Sequence, residues 1–161
     1  MLEEHILDAL THDRASFRCG VAALDDYLLR FAAQQSKRGI TAVHVLVDSD
    51  APSAILGYYT LSAAQVDVVQ IGQHLQKKLP RYPLPCFRMG RLAAHAEYQG
   101  RGIGKLLIGC AVDRCLEARK QVAAYALLVD AKDDHAKAFY VHYGFVSSRD
   151  SPLTLFLPLG E

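Results

Sequence analysis

No stretch of the 161 residues comes near 18 consecutive apolar side chains, so the sequence offers no membrane-spanning helix. The opening Met1-Leu2-Glu3-Glu4 is acidic where a secretory leader is basic, which disfavours export and favours the cytoplasm. The four cysteines (Cys19, Cys86, Cys110 and Cys115) have no C-x-x-C spacing, and the seven histidines are scattered. Neither a zinc ribbon nor a thiol redox pair is offered, so reduced thiols and no metal are expected. Cys110 and Cys115 fall within a helical pattern, where cysteine serves as a small buried hydrophobe. No repeat, low-complexity tract or linker interrupts the chain, and residues 1–161 are expected to form a single domain. What is present is ordinary globular composition, with 51% hydrophobic and 22% charged residues. A chain of this length buries roughly 70% of its extended surface on folding, enough for a real core.

Bulk charge names no partner, since 18 Lys and Arg stand against 17 Asp and Glu. The distribution says more. Residues 68–96 carry Lys77, Lys78, Arg81, Arg88 and Arg91 and no acid, and residues 27–47 carry Arg30, Lys37 and Arg38 and no acid. Residues 1–26 hold six acids against Arg14 and Arg18. A basic face on a nearly neutral protein favours a polyanionic ligand, although solvated surface would read the same way.

Periodicity predicts an α+β fold. Leu24, Tyr27, Leu28 and Phe31 share one face of a helix that ends at the basic turn Arg38-Gly39. Residues 40–47 and 55–63 read as strands of a hairpin around the turn at 48–52. A short helix is predicted over residues 73–79, and Pro80, Pro83 and Pro85 then impose an extended connection. Residues 86–93 read as a strand and residues 98–104 as a glycine-rich turn. A helix follows to about Lys120 with Ile103, Leu106, Leu107, Cys110 and Ala111 on one face. The continuous apolar run 123–129 suits a strand covered on both sides, which completes a right-handed βαβ unit. A helix over 134–143, stopped at Gly144, and a strand over 153–157 give a mixed sheet of six or seven strands with about four helices.

Three glycines ahead of a helix bring backbone N–H groups close to a ligand, and with the helix dipole they favour phosphate or pyrophosphate. Two nucleotide motifs fail. A Walker A loop needs glycine at Gln99 and a hydroxyl at Leu106, while a dinucleotide fingerprint needs its third glycine at Lys105 rather than Gly104. The spacing Gln-x-x-Gly-x-Gly at Gln99, Gly102 and Gly104 does resemble the acetyl-CoA loop of the GNAT N-acetyltransferase superfamily. Ala136-x-x-Phe139-Tyr140-x-x-x-Gly144-Phe145 is similar to that superfamily's closing helix and turn.

Further stretches resemble one subgroup, the acetyltransferase toxins of bacterial toxin–antitoxin modules, over roughly residues 14–159. They are Phe17-x-Cys19-Gly20-x-x-x-Leu24-Asp25, the run from Gly57 to Ser62, Gly90-Arg91-Leu92-Ala93, the run from Leu128 to Lys132 and the run from Pro152 to Phe156. The chain departs from the pattern at Ala94-His95, where many relatives carry Val-Asp, and at Asp133-Asp134, where many GNAT enzymes carry Asn.

The resemblance implies an N-acetyltransferase that moves acetyl from acetyl-CoA to the α-amino group of aminoacyl-tRNA and so blocks translation. It implies a ribbon-helix-helix antitoxin as partner and leaves a homodimer open. It implies acetyl-CoA contacts from the backbone of Leu92, Ala93 and Ala94, from Gln99, Gly100, Arg101, Gly102, Ile103, Gly104 and Lys105, and from Phe139. Tyr140 aligns with the family's general acid, and Tyr143 is the runner-up. A phenol with a pKa of about 10 stays protonated at neutral pH and can supply a thiolate whose conjugate acid lies near about 8.5.

No carboxylate stands out as a base, although Glu97 or Asp130 could act through water. An α-amine, with a pKa of about 7.7–8.0, needs a base far less than a lysine at about 10.4. Lys37, Arg38, Lys77, Lys78, Arg81 and Arg91 form the candidate tRNA footprint. Two other readings compete: a GNAT enzyme acting on a small-molecule or protein amine, and a non-catalytic acetyl-CoA- or partner-binding module.

Overall fold

A computed structural model describes residues 1–67, 70 and 79–160. The helix predicted over 73–79 lies, but for Leu79, outside the described residues, as do Lys77 and Lys78. In chain order the elements are β1 (Leu2–Ile6), α1 (Ala22–Arg30), α2 (Ala32–Lys37), β2 (Ala42–Asp48), β3 (Gly57–Val66), β4 (Leu84–Ala94), α3 (Ile103–Ala118), β5 (Ala126–Asp130), α4 (Asp134–His142), β6 (Val146–Ser147) and β7 (Thr154–Pro158). The strands form one mixed seven-stranded sheet in the order β1-β2-β3-β4-β5-β7-β6, with four α-helices among the described residues. This is the expected α+β architecture. No helix among the described residues is long and apolar enough to cross a membrane. The chain divides into two compact units, Met1–Ser62 with Gly90–Ala111 and Ala63–Met89 with Val112–Glu161.

In the first unit the hairpin forms as predicted, with β2 antiparallel to β3 through Val43↔Thr60 and Val45↔Tyr58. Val43, Val45 and Val47 alternate onto one face and pack with Phe17, Leu28, Ala32 and Tyr58. β1 is an addition: it pairs antiparallel with β2 through Glu3↔Val47 and His5↔Val45.

The single helix expected from Leu24 to Arg38 is two helices. The chain breaks at Phe31 (φ −118°, ψ −30°), which turns Ala32 fully into the core and leaves the Phe31 ring 46% exposed. An unbroken helix would have carried Phe31 inward beside Tyr27 and Leu28. α2 ends as expected at Gly39, with the Ile40 N–H donating to Gln35 and the Gly39 N–H to Ser36.

α3 also shifts its face. Ile103, Leu107, Ile108, Ala111 and Cys115 are buried, whereas Leu106 is exposed and Cys110 half-buried. The buried stripe follows the i, i+4 rows from Ile103 rather than the row through Leu106.

In the second unit β5 runs parallel to β4 from Cys86↔Ala126 to Met89↔Val129 and antiparallel to β7. Ala126, Leu127, Leu128 and Val129 are all buried, as a strand covered on both faces requires. Leu84, Cys86, Ala126, Leu128 and Phe156 form its core. Asp133 caps α4, its carboxylate accepting from the Ala136 N–H at 2.8 Å, so the departure at Asp133-Asp134 supplies a helix start.

Candidate active site

β4 carries the first part of the site. Its ladder with β5 stops at Met89, and the strand continues through Gly90 to Ala94. The His95 N–H donates to the Leu56 carbonyl at 2.8 Å, which turns His95 and, by strand alternation, Ala93 toward β3. The same alternation turns the amides of Leu92 and Ala94 away from β3. His95 then caps the 3-10 turn Ala96–Tyr98, its Nδ1 accepting from the Glu97 N–H at 3.2 Å. The cap is a task an aspartate at this position could also perform.

The glycine turn follows. Gly100 (φ +81°) and Gly102 (φ +80°) occupy the left-handed region, and a Cβ at either would meet open space. Their requirement is therefore conformational and not steric crowding. The turn is pinned by the Gln99 side chain, whose amide donates to the Cys19 carbonyl at 2.8 Å and to the Ala94 carbonyl at 3.3 Å. Gln99 thus acts by holding the turn, and the Ala96 N–H adds a bond to the Arg18 carbonyl at 2.7 Å.

Within the turn the Arg101 N–H is spent on Tyr98 and the Leu106 N–H on Gly102. Among the described residues, no hydrogen bond takes the N–H groups of Gly102, Ile103, Gly104 or Lys105. These are the open amides at the start of α3, whose first turn has no acidic residue. Lys105 and Arg101 are exposed beside them. A cradle of unused donors at the positive end of a 16-residue helix fits a pyrophosphate.

The second unit holds the expected acid. Tyr140 on α4 is buried between Phe139 (ring centroids 5.5 Å apart) and Phe145 (5.4 Å). Burial first, and the Asp130 carboxylate second, push its phenol up to about 12, so it remains protonated across the physiological range. Asp130 is itself held by Arg88 and by the Thr154 hydroxyl at 2.9 Å. Phe139 is half-buried on the same helix. Tyr143 stands at the C-cap with its ring against Phe139 at 5.1 Å.

The basic residues are dispersed. Lys37 and Arg38 are exposed at the end of α2, and Arg81 is exposed ahead of β4. Arg91 is half-buried on β4, its guanidinium 3.5 Å from the Tyr27 ring centroid. Sequence reasoning missed two residues near this part of the molecule. Arg18 donates to the carbonyls of Ala15 and Phe17, both at 2.7 Å, beside the segment that pins the turn. Phe31, expected on one helix face with Leu24, Tyr27 and Leu28, is exposed. The Phe17-x-Cys19-Gly20 stretch was the available signal for the first; nothing in the apolar pattern marked the second.

A parallel strand pair whose ladder ends just ahead of a glycine turn, with open amides at the next helix start, is an arrangement suited to a pyrophosphate-bearing ligand. A family model described as "Acetyltransferase (GNAT) domain" matches residues 42–147, and the chain belongs to that family. It is an acetyltransferase related to tRNA-acetylating toxins. The tRNA-acetylating toxin of Mycobacterium tuberculosis (strain ATCC 25618 / H37Rv) is 34% identical over 145 residues, spanning 90% of this chain and 85% of that protein. The structure of AtaT complexed with acetyl-methionyl-tRNAfMet superposes with a TM-score of 0.92 at 28% identity, covering 98% of this chain and 95% of that one. A tyrosine-to-phenylalanine mutant of AtaT, bound to the C-terminus of the antitoxin AtaR and acetyl-CoA, superposes with a TM-score of 0.84 at 26% identity, covering 98% and 93%.

Proposed function

We propose that this chain, as one GNAT domain over residues 1–161, is a tRNA-acetylating toxin. It transfers acetyl to the α-amino group of aminoacyl-tRNA in the cytoplasm and is neutralised by a ribbon-helix-helix antitoxin. The observation that carries the reading is the extent of the match: the M. tuberculosis tRNA-acetylating toxin aligns over 90% of this chain. Acetyl-CoA, when bound, supplies the activated acetyl thioester.

This chain's residues do the rest. The open amides of Gly102 to Lys105 hold the pyrophosphate, while Arg101 and Lys105 add positive charge. The amides of Leu92 and Ala94 orient the acyl carbonyl, a type of contact worth about 3–4 kcal/mol in acyl transfer. Tyr140 holds a proton on its phenolic oxygen for the departing sulfur, and Phe139 packs beside it. An α-amine acceptor is substantially neutral near pH 7.7–8.0, so no strong side-chain base is required; that range is the ordinary one, about 7.7–8.0, for such amines. Lys37, Arg38, Lys77, Lys78, Arg81 and Arg91 meet tRNA phosphates.

The test supplies purified protein and labelled acetyl-CoA to charged tRNA and to free amino acids in parallel, with products read by mass spectrometry. Acetylation confined to charged tRNA is the expected result. Equal acetylation of both acceptors moves the protein to a metabolite amine.

A further inference from the structure

The break between α1 and α2 leaves Phe31 46% exposed in a place where helical periodicity would bury it. The ring is nevertheless held. It stacks on Tyr27 with centroids 6.4 Å apart and planes 26° from parallel, so its other face is turned away from Tyr27. Tyr27 is buried and fixed in turn: its hydroxyl donates to Gln35 at 2.7 Å, and Arg91 lies 3.5 Å from its ring centroid. Among the described residues no acid pairs with Arg91.

The segment that carries this ring has charge of one sign. Residues 27–47 contain no acid. Arg14 donates to the Leu29 carbonyl at 3.3 Å, which sets a cation at the end of α1 beside Phe31. Arg38, exposed, stands at the far end of the six-residue α2 that begins just after Phe31. The nearest acid on α1, Asp26, is paired with Arg30 at 2.7 Å.

A half-exposed aromatic ring among cations is how proteins grip single-stranded nucleic acid, by stacking a base on the ring and meeting phosphates with the cations. The aminoacyl end of a tRNA is an unpaired strand. We propose that Phe31 is the stacking platform for an unpaired base at the 3′ end of the acceptor tRNA, with Arg14 and Arg38 meeting the flanking phosphates. The inference rests on the tRNA reading above and adds the element that holds the single-stranded end. An acidic protein segment would answer the same cations but has no need of a ring held parallel to a fixed base, so nucleic acid is favoured.

The experiment compares wild type, F31A, F31W and R38A for binding to deacylated tRNA with an intact 3′ end and to the same tRNA trimmed of its unpaired 3′ nucleotides. F31A is expected to bind intact tRNA roughly 5- to 150-fold more weakly, the range for loss of one stacked base. It is expected to bind trimmed tRNA like wild type, and F31W should restore the difference. The salt slope should be unchanged in F31A and lower by about 1 in R38A, which separates stacking from phosphate contact. Equal affinity of F31A and wild type for intact tRNA, or an equal loss on both tRNAs, overturns the platform. So does loss of binding only to the ribbon-helix-helix antitoxin, which would assign the face to a protein. If wild type binds neither tRNA, the tRNA reading itself fails, a result distinguishable from failure of the platform alone.

Discussion

Gly57 of β3 approaches Ala93 of β4 so closely that a Cβ on Gly57 would stand 2.9 Å from the Ala93 carbonyl oxygen. The same atom would meet Leu107 Cδ1 at 2.9 Å and Ile103 Cγ2 at 3.0 Å. The absent side chain therefore sets how closely the first turn of α3, which bears the open amides, lies against the sheet. Gly57→Ala should destabilise the protein by about 1–3 kcal/mol, the ordinary cost of overpacking. Because the strain falls on Ile103, acetyl-CoA affinity should fall as well. Urea unfolding and calorimetry measure the two, and wild-type values for both would show that the sheet and helix yield at no cost.

Gly102 poses the opposite case. A Cβ there meets nothing within 4 Å, but φ is +80°. Gly102→Ala should cost about 1–2 kcal/mol of backbone strain while leaving room for a ligand. Gly102→Glu adds a carboxylate at the helix start and should abolish acetyl-CoA binding beyond whatever the alanine variant loses. Calorimetry of the pair separates strain from charge. Equal affinities for the two variants would move the pyrophosphate elsewhere.

Much of this was legible because it is local. The hairpin of β2 and β3, the stop at Gly39, the glycine turn and the doubly covered strand at 126–129 each follow from residues within a few positions of one another. What escaped depends on distant partners. β1 is short and carries Glu3, Glu4 and His5, and only its pairing with β2 some forty residues on makes it a strand. The break at Phe31 follows from packing Ala32 into the core, which no periodicity of α1 announces. The spacing marked Gln99 as part of a ligand loop, yet its side chain is committed to a carbonyl 80 positions away.

That commitment makes Gln99 testable apart from the glycines. Gln99→Glu replaces the donor with a carboxylate facing the carbonyls of Cys19 and Ala94. Acceptor against acceptor leaves the pin unmade at a cost of about 1–3 kcal/mol, whereas Gln99→Ala forfeits only the net bond, about 0.5–1.5 kcal/mol. Thermal unfolding should rank wild type above alanine above glutamate, and acetyl-CoA affinity should follow that order. Equal stability of all three would mean that the turn is held without Gln99.

Tyr140 gives a prediction with two independent readouts. Tyr140→Phe keeps the ring that packs between Phe139 and Phe145, so the fold and acetyl-CoA affinity should persist. Loss of a general acid should lower kcat by about 10²–10⁴-fold with little change in KM. Stability at high pH supplies the second readout. The folded phenol is pushed up to about 12, first by burial and then by Asp130. The unfolded phenol titrates near about 10. A group with a raised folded pKa lends its full stabilisation below the unfolded value and loses it as pH climbs through the folded one. Wild type should therefore lose about 2–3 kcal/mol between pH of about 10 and about 12 that Tyr140→Phe does not lose. Other tyrosines contribute equally to both proteins, so the difference between their alkaline unfolding curves isolates Tyr140. Parallel curves would mean that the phenol is not held protonated, and an unchanged kcat would transfer the proton to Tyr143 or to water.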